Sequence, residues 1–139
     1  MISRRRLGIF VAAASVAPAI VGRAAPPIIR FGQIEALTGP SAPYGIRGRD
    51  GARIAIDQIN VGGLELGGTT YQLEVSLGDM ANDARQAIIL LRQYAAQADF
   101  ICSVGPTNSV GFVPNVPVAE QLHFPLIGDG SGVPIKNWN

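Results

Sequence analysis

Thr70-Tyr71-Gln72-Leu73-Glu74-Val75-Ser76-Leu77, then the amphipathic stretch Ala84–Gln97, then Phe100-Ile101-Cys102-Ser103-Val104 decide the fold. The first segment alternates apolar and polar side chains, the period of a strand with one face covered. Asp79 ends it. The middle stretch lines up Ala84, Ala87, Ile88, Leu91 and Ala95 on one helical face, with Asn82 or Asp83 as its cap. The last is an apolar run broken only by Ser103, as expected of a buried parallel strand. Strand, helix and strand in close succession imply a parallel sheet.

The same alternation extends to either side. Ile28-Ile29-Arg30-Phe31-Gly32-Gln33-Ile34 is β-branched and aromatic and reads as an earlier strand. A Gly/Pro/Ser-rich loop follows from Glu35 to about Gly45. From about Ile46 to Asn60 the spacing predicts a helix, with Ala52, Ala55, Ile56 and Ile59 inward and Arg49, Arg53 and Asp57 away from them. Asn60-Val61-Gly62-Gly63 stops it, and Leu64–Thr69 is turn-rich. Downstream, Gly105-Pro106-Thr107-Asn108-Ser109 opens a helical segment. Pro114 and Pro117 inside it predict a kink or two short pieces. Phe124-Pro125-Leu126-Ile127 is a fourth strand, followed by Gly128-Asp129-Gly130-Ser131-Gly132. The expected fold is α/β: a parallel, doubly wound sheet with helices on both faces.

The front end has the pattern of an export signal. Met1–Arg6 is basic, and Leu7–Val21 is apolar, too short for a span of ~20 residues and interrupted by Pro18. Gly22 and Ala24 are the small residues of a cleavage site, which puts the cut after Ala24 and leaves 25–139 as the mature part. Ser3-Arg4-Arg5-Arg6-Leu7 resembles a twin-arginine motif, with departures at Leu7 and Gly8; the general secretory route is the alternative. The expected location is the periplasm, with no stable membrane insertion once the signal is removed.

With 139 residues, 47% apolar and 15% charged, the chain suits one folded domain. The net charge of +1 is misleading, because Arg4, Arg5, Arg6 and Arg23 all precede the cut. The body is mildly acidic, which gives no electrostatic reason to expect nucleic acid. One Cys and one His rule out a disulfide framework, a multi-cysteine zinc site and a His-rich metal cluster.

Chemistry is expected in the loops after the strands, because ligands of open parallel sheets sit at the carboxyl ends near the switch point. Three loops qualify: Leu37–Gly45, Gly105–Ser109 and Gly128–Gly132. They supply a phenol, several hydroxyls and the N–H groups of a helix start, a setting suited to a carboxylate or phosphate. The competing reading is that Ser109 or Asn108 merely caps its helix. Enzyme signatures are weak. Gly63–Thr69 lacks the Lys of a phosphate-binding loop, and the glycines from Gly45 to Gly48 are misplaced for a dinucleotide site. His123 reads as a strand-edge or partly buried histidine with no nucleophile beside it. Cys102 reads as a small core residue. Asp79 either points at the cleft or caps the next turn. No metal, cofactor or catalytic residue is expected.

Ile29-Arg30-Phe31-Gly32, Leu37-Thr38-Gly39-Pro40, Tyr44-Gly45, Gly48, Gly51-Ala52, Ala55, Ile59-Asn60 with Gly62-Gly63, Asp79, Val104-Gly105 with Ser109, and Pro125-Leu126-Ile127 together resemble one family. It is the periplasmic solute-binding proteins of the leucine/isoleucine/valine-binding type, over about Ile28–Gly132. The resemblance implies the first lobe of a type 1 periplasmic binding protein. It also implies a non-enzymatic role: carrying a branched-chain or other small amino acid or amide to the membrane permease of an ABC importer. A ligand-sensing regulator of the same fold is the alternative.

Residue by residue, the resemblance places Tyr44 in the ligand cleft and Ser109, flanked by Thr107 and Asn108, at the ligand carboxylate. Gly130 and Gly132 complete that site, or Ser131 if the register shifts by one. A Gly132 match would leave a hydroxyl missing, and paired prolines like Pro114 and Pro117 are unusual after the serine. The family's second lobe, which supplies an acid for the ligand ammonium, has no counterpart here. The expectation is therefore a fragment or a truncated gene product.

Overall fold

The computed structural model describes residues 25–128. The expected export signal and Gly130, Ser131 and Gly132 lie outside the described residues. The elements run β1 (Ile28–Glu35), α1 (Ala42–Gly62), β2 (Leu64–Leu66), β3 (Thr69–Asp79), α2 (Ala84–Ala95), β4 (Phe100–Val104), α3 (Ser109–Leu122) and β5 (Leu126–Ile127). The sheet order is β2-β3-β1-β4-β5. β1 pairs in parallel with β3 and β4, and β4 in parallel with β5. β2 is antiparallel to β3, and with the Gly67-Gly68 turn it forms a hairpin where the sequence suggested only turns.

The chain starts in the middle of the sheet, steps to β3, then crosses back over β1 to β4 and β5. Parallel crossovers are right-handed, so reversing the direction of travel moves the helix to the opposite face. α1 therefore covers one face. α2 and α3 pack together on the other. The reversal makes a switch point between β1 and β4.

The core lies under α2 and α3. Ile34, Met80, Ala87 and Leu91 are fully buried there, joined by Tyr94, Val118 and Ala119. Burying a large aliphatic side chain contributes about 1.5–3 kcal/mol each. Tyr94 stacks on Phe100 with ring centroids 5.3 Å apart. A Cβ on Gly32 would overlap the Tyr94 ring, so this glycine lets the aromatic lie flat on β1. Asp83, one of the two caps the sequence offered, heads α2 by accepting from Arg85 N–H at 2.7 Å. Tyr94 is a core residue of α2 that the predicted apolar face omitted.

Several expectations are corrected. α1 begins at Ala42, not near Ile46, because Pro43 lies in the first turn, where its missing N–H has no helical partner to lose. Its inward line is Gly45, Gly48, Ala52, Ile56 and Asn60. Ala55 and Ile59 are exposed, because the glycines bring the helix down on that line instead. α3 is one helix through Pro114 and Pro117. The carbonyls those prolines deprive of partners belong to Val110 and Val113, both exposed residues, so water can serve them. In β4, Ser103 is buried but Ile101 is 57% exposed, so the strand is not buried along its whole length among the described residues.

Candidate functional site

The carboxyl ends of β1, β3 and β4 share one edge, and the segments 36–41, 80–83 and 105–108 leave from it. The first two are tied by Asp79. Its carboxylate accepts from Leu37 N–H, the Thr38 hydroxyl and Ala81 N–H, each at 2.8 Å. Partial burial pushes the Asp79 pKa up, but the bonds from Ala81, Thr38 and Leu37 outweigh it and hold the carboxyl below its ordinary range. Of the two readings for Asp79, the structure shows the turn-capping one.

Across the switch point, Glu35 ends β1 and Thr107 follows β4. Glu35 is buried, and its Oε2 accepts from both the Thr107 hydroxyl at 2.9 Å and Thr107 N–H at 3.3 Å. Gln33 Nε2 donates to Oε1 at 3.3 Å. Desolvation raises the Glu35 pKa, against the lowering effect of these bonds. The sequence reading did not single out Glu35. A lone acid at a strand end carries no signal until the strand order sets Thr107 beside it.

Tyr44 lies in the first turn of α1, 64% exposed. Gly48, one turn on, sits directly over Glu35 and Thr107: a Cβ there would lie 2.6 Å from Glu35 Oε1 and 2.9 Å from Thr107 Cγ2. Residues four apart share a helix face, so Tyr44 and the 105–109 turn flank the same edge. Asn108 is the N-cap of α3, its side chain accepting from Gly111 N–H at 3.1 Å. Ser109 is the first helical residue and half-buried. Thr107 spends both of its donors on Glu35.

His123 is exposed and caps the C-terminus of α3 in the left-handed region with φ 50, not at a strand edge. Cys102 is half-buried on β4, and burial pushes its thiol pKa up. An open apolar groove of about 620 Å³ runs along the C-terminal half of α3 and the start of β5, lined by Phe112, Val116 and Phe124 among others. Its polar lining is Glu120 and His123 alone, whereas ligands of open parallel sheets sit at the carboxyl ends of the strands, so the strand-end loops are the better site. Among the described residues no group of three or more His, Cys, Asp or Glu could hold a metal ion. No helix among them is long and apolar enough to cross a membrane.

A family model described as periplasmic binding protein matches residues 28–139. No curated protein matches. Among solved structures, an ABC transporter substrate-binding protein from Sphaerobacter thermophilus is 27% identical, with a TM-score of 0.65, over 76% of this chain and 27% of that one. The branched-chain amino acid transporter substrate-binding protein LivJ from Streptococcus pneumoniae, solved in complex with isoleucine, is 28% identical. Its TM-score is 0.64, over 76% of this chain and 30% of that one. The leucine-binding protein LivK from Thermotoga maritima, at 19% identity and TM-score 0.63 over 72% of this chain and 27% of that one, shares the fold. The chain spans less than a third of the length of these relatives.

Proposed function

The chain belongs to the periplasmic binding protein family, and from that premise we propose that it forms part of the first lobe of the substrate-binding component of an ABC importer. The family is one of binding proteins, not of enzymes. The ligand is a branched-chain or other small amino acid, or an amide. Tyr44 walls the cleft. The start of α3, Asn108 and Ser109 with the turn at Thr107, receives the ligand carboxylate or amide oxygen. Gly130, Ser131 and Gly132 complete that side. Residues 1–24 direct export to the periplasm, where the mature part begins at Ala25 and works with a membrane permease.

One observation carries the site. β1 and β4 are neighbours at the reversal of strand order, and α1 descends onto the turn after β4 at Gly48 and Thr107. That supports a crevice with the Tyr44 end of α1 on one side and the N–H groups of the α3 start on the other. A helix start with nearby hydroxyls favours an anionic or carbonyl oxygen.

The test is an NMR titration of isotope-labelled protein with L-isoleucine, L-leucine, L-valine and a short aliphatic amide. Saturable shifts at Tyr44 and Thr107–Ser109 are expected. Unmoved signals at those residues with every ligand overturn the site.

A further inference from the structure

At the end of β1, Glu35 carries a carboxylate that is 1% exposed and bonded to no cation among the described residues. Burying such a group is costly unless it is hydrogen-bonded or paired. Its bonds reach a single neighbouring segment. Both donors of Thr107, backbone and hydroxyl, end on the same carboxylate oxygen. Thr107 is joined directly to Asn108, the N-cap of α3, and then to Ser109.

We propose that Glu35 is a positioning residue: its carboxylate, held beneath α1, fixes Thr107 and through it the turn that starts α3. It thereby sets the geometry in which the Asn108–Ser109 amides meet a ligand. The link to ligand rests on the function proposed above; the link to the turn does not.

Every element around the carboxylate agrees with this role. β1 contributes the neutral Gln33. β3 contributes Asp79, the register partner of Glu35, whose own carboxylate is turned to Leu37, Thr38 and Ala81. The β4–α3 turn contributes Thr107. α1 contributes Gly48, and the guanidinium of the next residue, Arg49, is paired with Asp50. With no cation to share the charge, burial raises the Glu35 pKa above its ordinary 4.5. Hydrogen bonds to an ionised acceptor are roughly twice as strong as neutral ones. The turn is therefore held firmly while Glu35 is ionised, and loosely as pH falls through its raised pKa.

The experiment follows the backbone amides of Thr107 and Ser109 by NMR from neutral to mildly acid pH, and measures the dissociation constant for L-isoleucine over the same range. In the wild type both amides should titrate together with a midpoint above 4.5. L-isoleucine affinity should fall about five- to twentyfold through that midpoint, as one charge-assisted bond becomes neutral. Glu35→Gln keeps an acceptor of the same shape and should fold. Its Thr107 amide should not titrate, and its affinity should be pH-independent and weakened. Glu35→Ala should speed hydrogen exchange at residues 105–109. Amides that do not titrate in the wild type overturn the proposal. So does an isoleucine affinity that stays constant, or rises, while they titrate. Titrating amides with no isoleucine binding at any pH would leave the latch standing and remove the ligand reading instead.

Discussion

The side-chain amide of Asn60 pairs with the backbone of Leu73 in both directions. Asn60 Nδ2 donates to the Leu73 carbonyl at 2.9 Å, and Leu73 N–H donates to Asn60 Oδ1 at 2.8 Å. The last turn of α1 thus bonds to β3 as another strand would. Gly63, with φ 79, then ends the helix three residues later. Asn60→Ala leaves the N–H and carbonyl of Leu73 on β3 without these partners. A loss of about 1–3 kcal/mol is expected, read by urea denaturation. Asn60→Asp keeps only the bond from Leu73 N–H and faces the Leu73 carbonyl with a charge, so its deficit should shrink as the pH falls and the new acid is protonated.

Gly48 is a second point of contact, between α1 and the switch point. A Cβ would press on Glu35 Oε1 and Thr107 Cγ2, and both are pinned by hydrogen bonds to each other. Gly48→Ala would normally favour a helix. Here overpacking should outweigh propensity, with a net loss of about 1–3 kcal/mol. Gly51→Ala, three residues on with open space around it, is the control and should be neutral or stabilising. Thermal denaturation of the two variants side by side decides it.

Much of this fold could be read from residue spacing, and the failures have local causes. β3 and α2 carried clean periods of two and 3.6, while β1 and β4 showed as short β-branched, aromatic or apolar runs. The start of α1 did not, because Ser41 and Pro43 serve equally as loop residues and as a helical first turn. The α1 face was misread because glycine lacks an apolar side chain, yet Gly45 and Gly48 are the residues that approach the sheet. α3 survives two prolines because its cost falls on exposed carbonyls, a fact of packing and not of sequence. Tyr44, Asn108 and Ser109 were singled out as candidates through a resemblance and the rule of strand ends. Glu35 was not, because its partner is 72 positions away.

Asp79 and Glu35 should give the fold opposite responses to acid. The Asp79 pKa is lowered on folding, so the stability it contributes is present above the ordinary carboxylate value and is lost as pH falls through the depressed one. The Glu35 pKa is raised, so the folded state binds its proton first, and stability rises as pH falls from the raised value to about 4.5. Asp79→Asn should therefore flatten the acid limb of a stability–pH curve. Glu35→Gln should remove the rise above 4.5 and leave the protein at least as stable as wild type at neutral pH. A Glu35→Gln protein that is markedly less stable at neutral pH would mean that the charge stabilises the fold.

Asn108 and Ser109 stand next to each other at the start of α3, and their proposed roles predict different losses. The Asn108 side chain accepts from Gly111 N–H at 3.1 Å, as an N-cap does. Asn108→Ala should cost about 0.5–2 kcal/mol of stability. Asn108→Ser, which restores a capping oxygen, should recover most of it. Ser109 lies one residue inside the helix, beyond the capping position. If its hydroxyl bonds a charged carboxylate, Ser109→Ala should weaken L-isoleucine binding by about 1.5–3 kcal/mol, or 10- to 150-fold. Equal affinity for wild type and Ser109→Ala, measured in the same titration that shows the Asn108→Ala protein melting earlier, would leave the α3 start with a structural role alone.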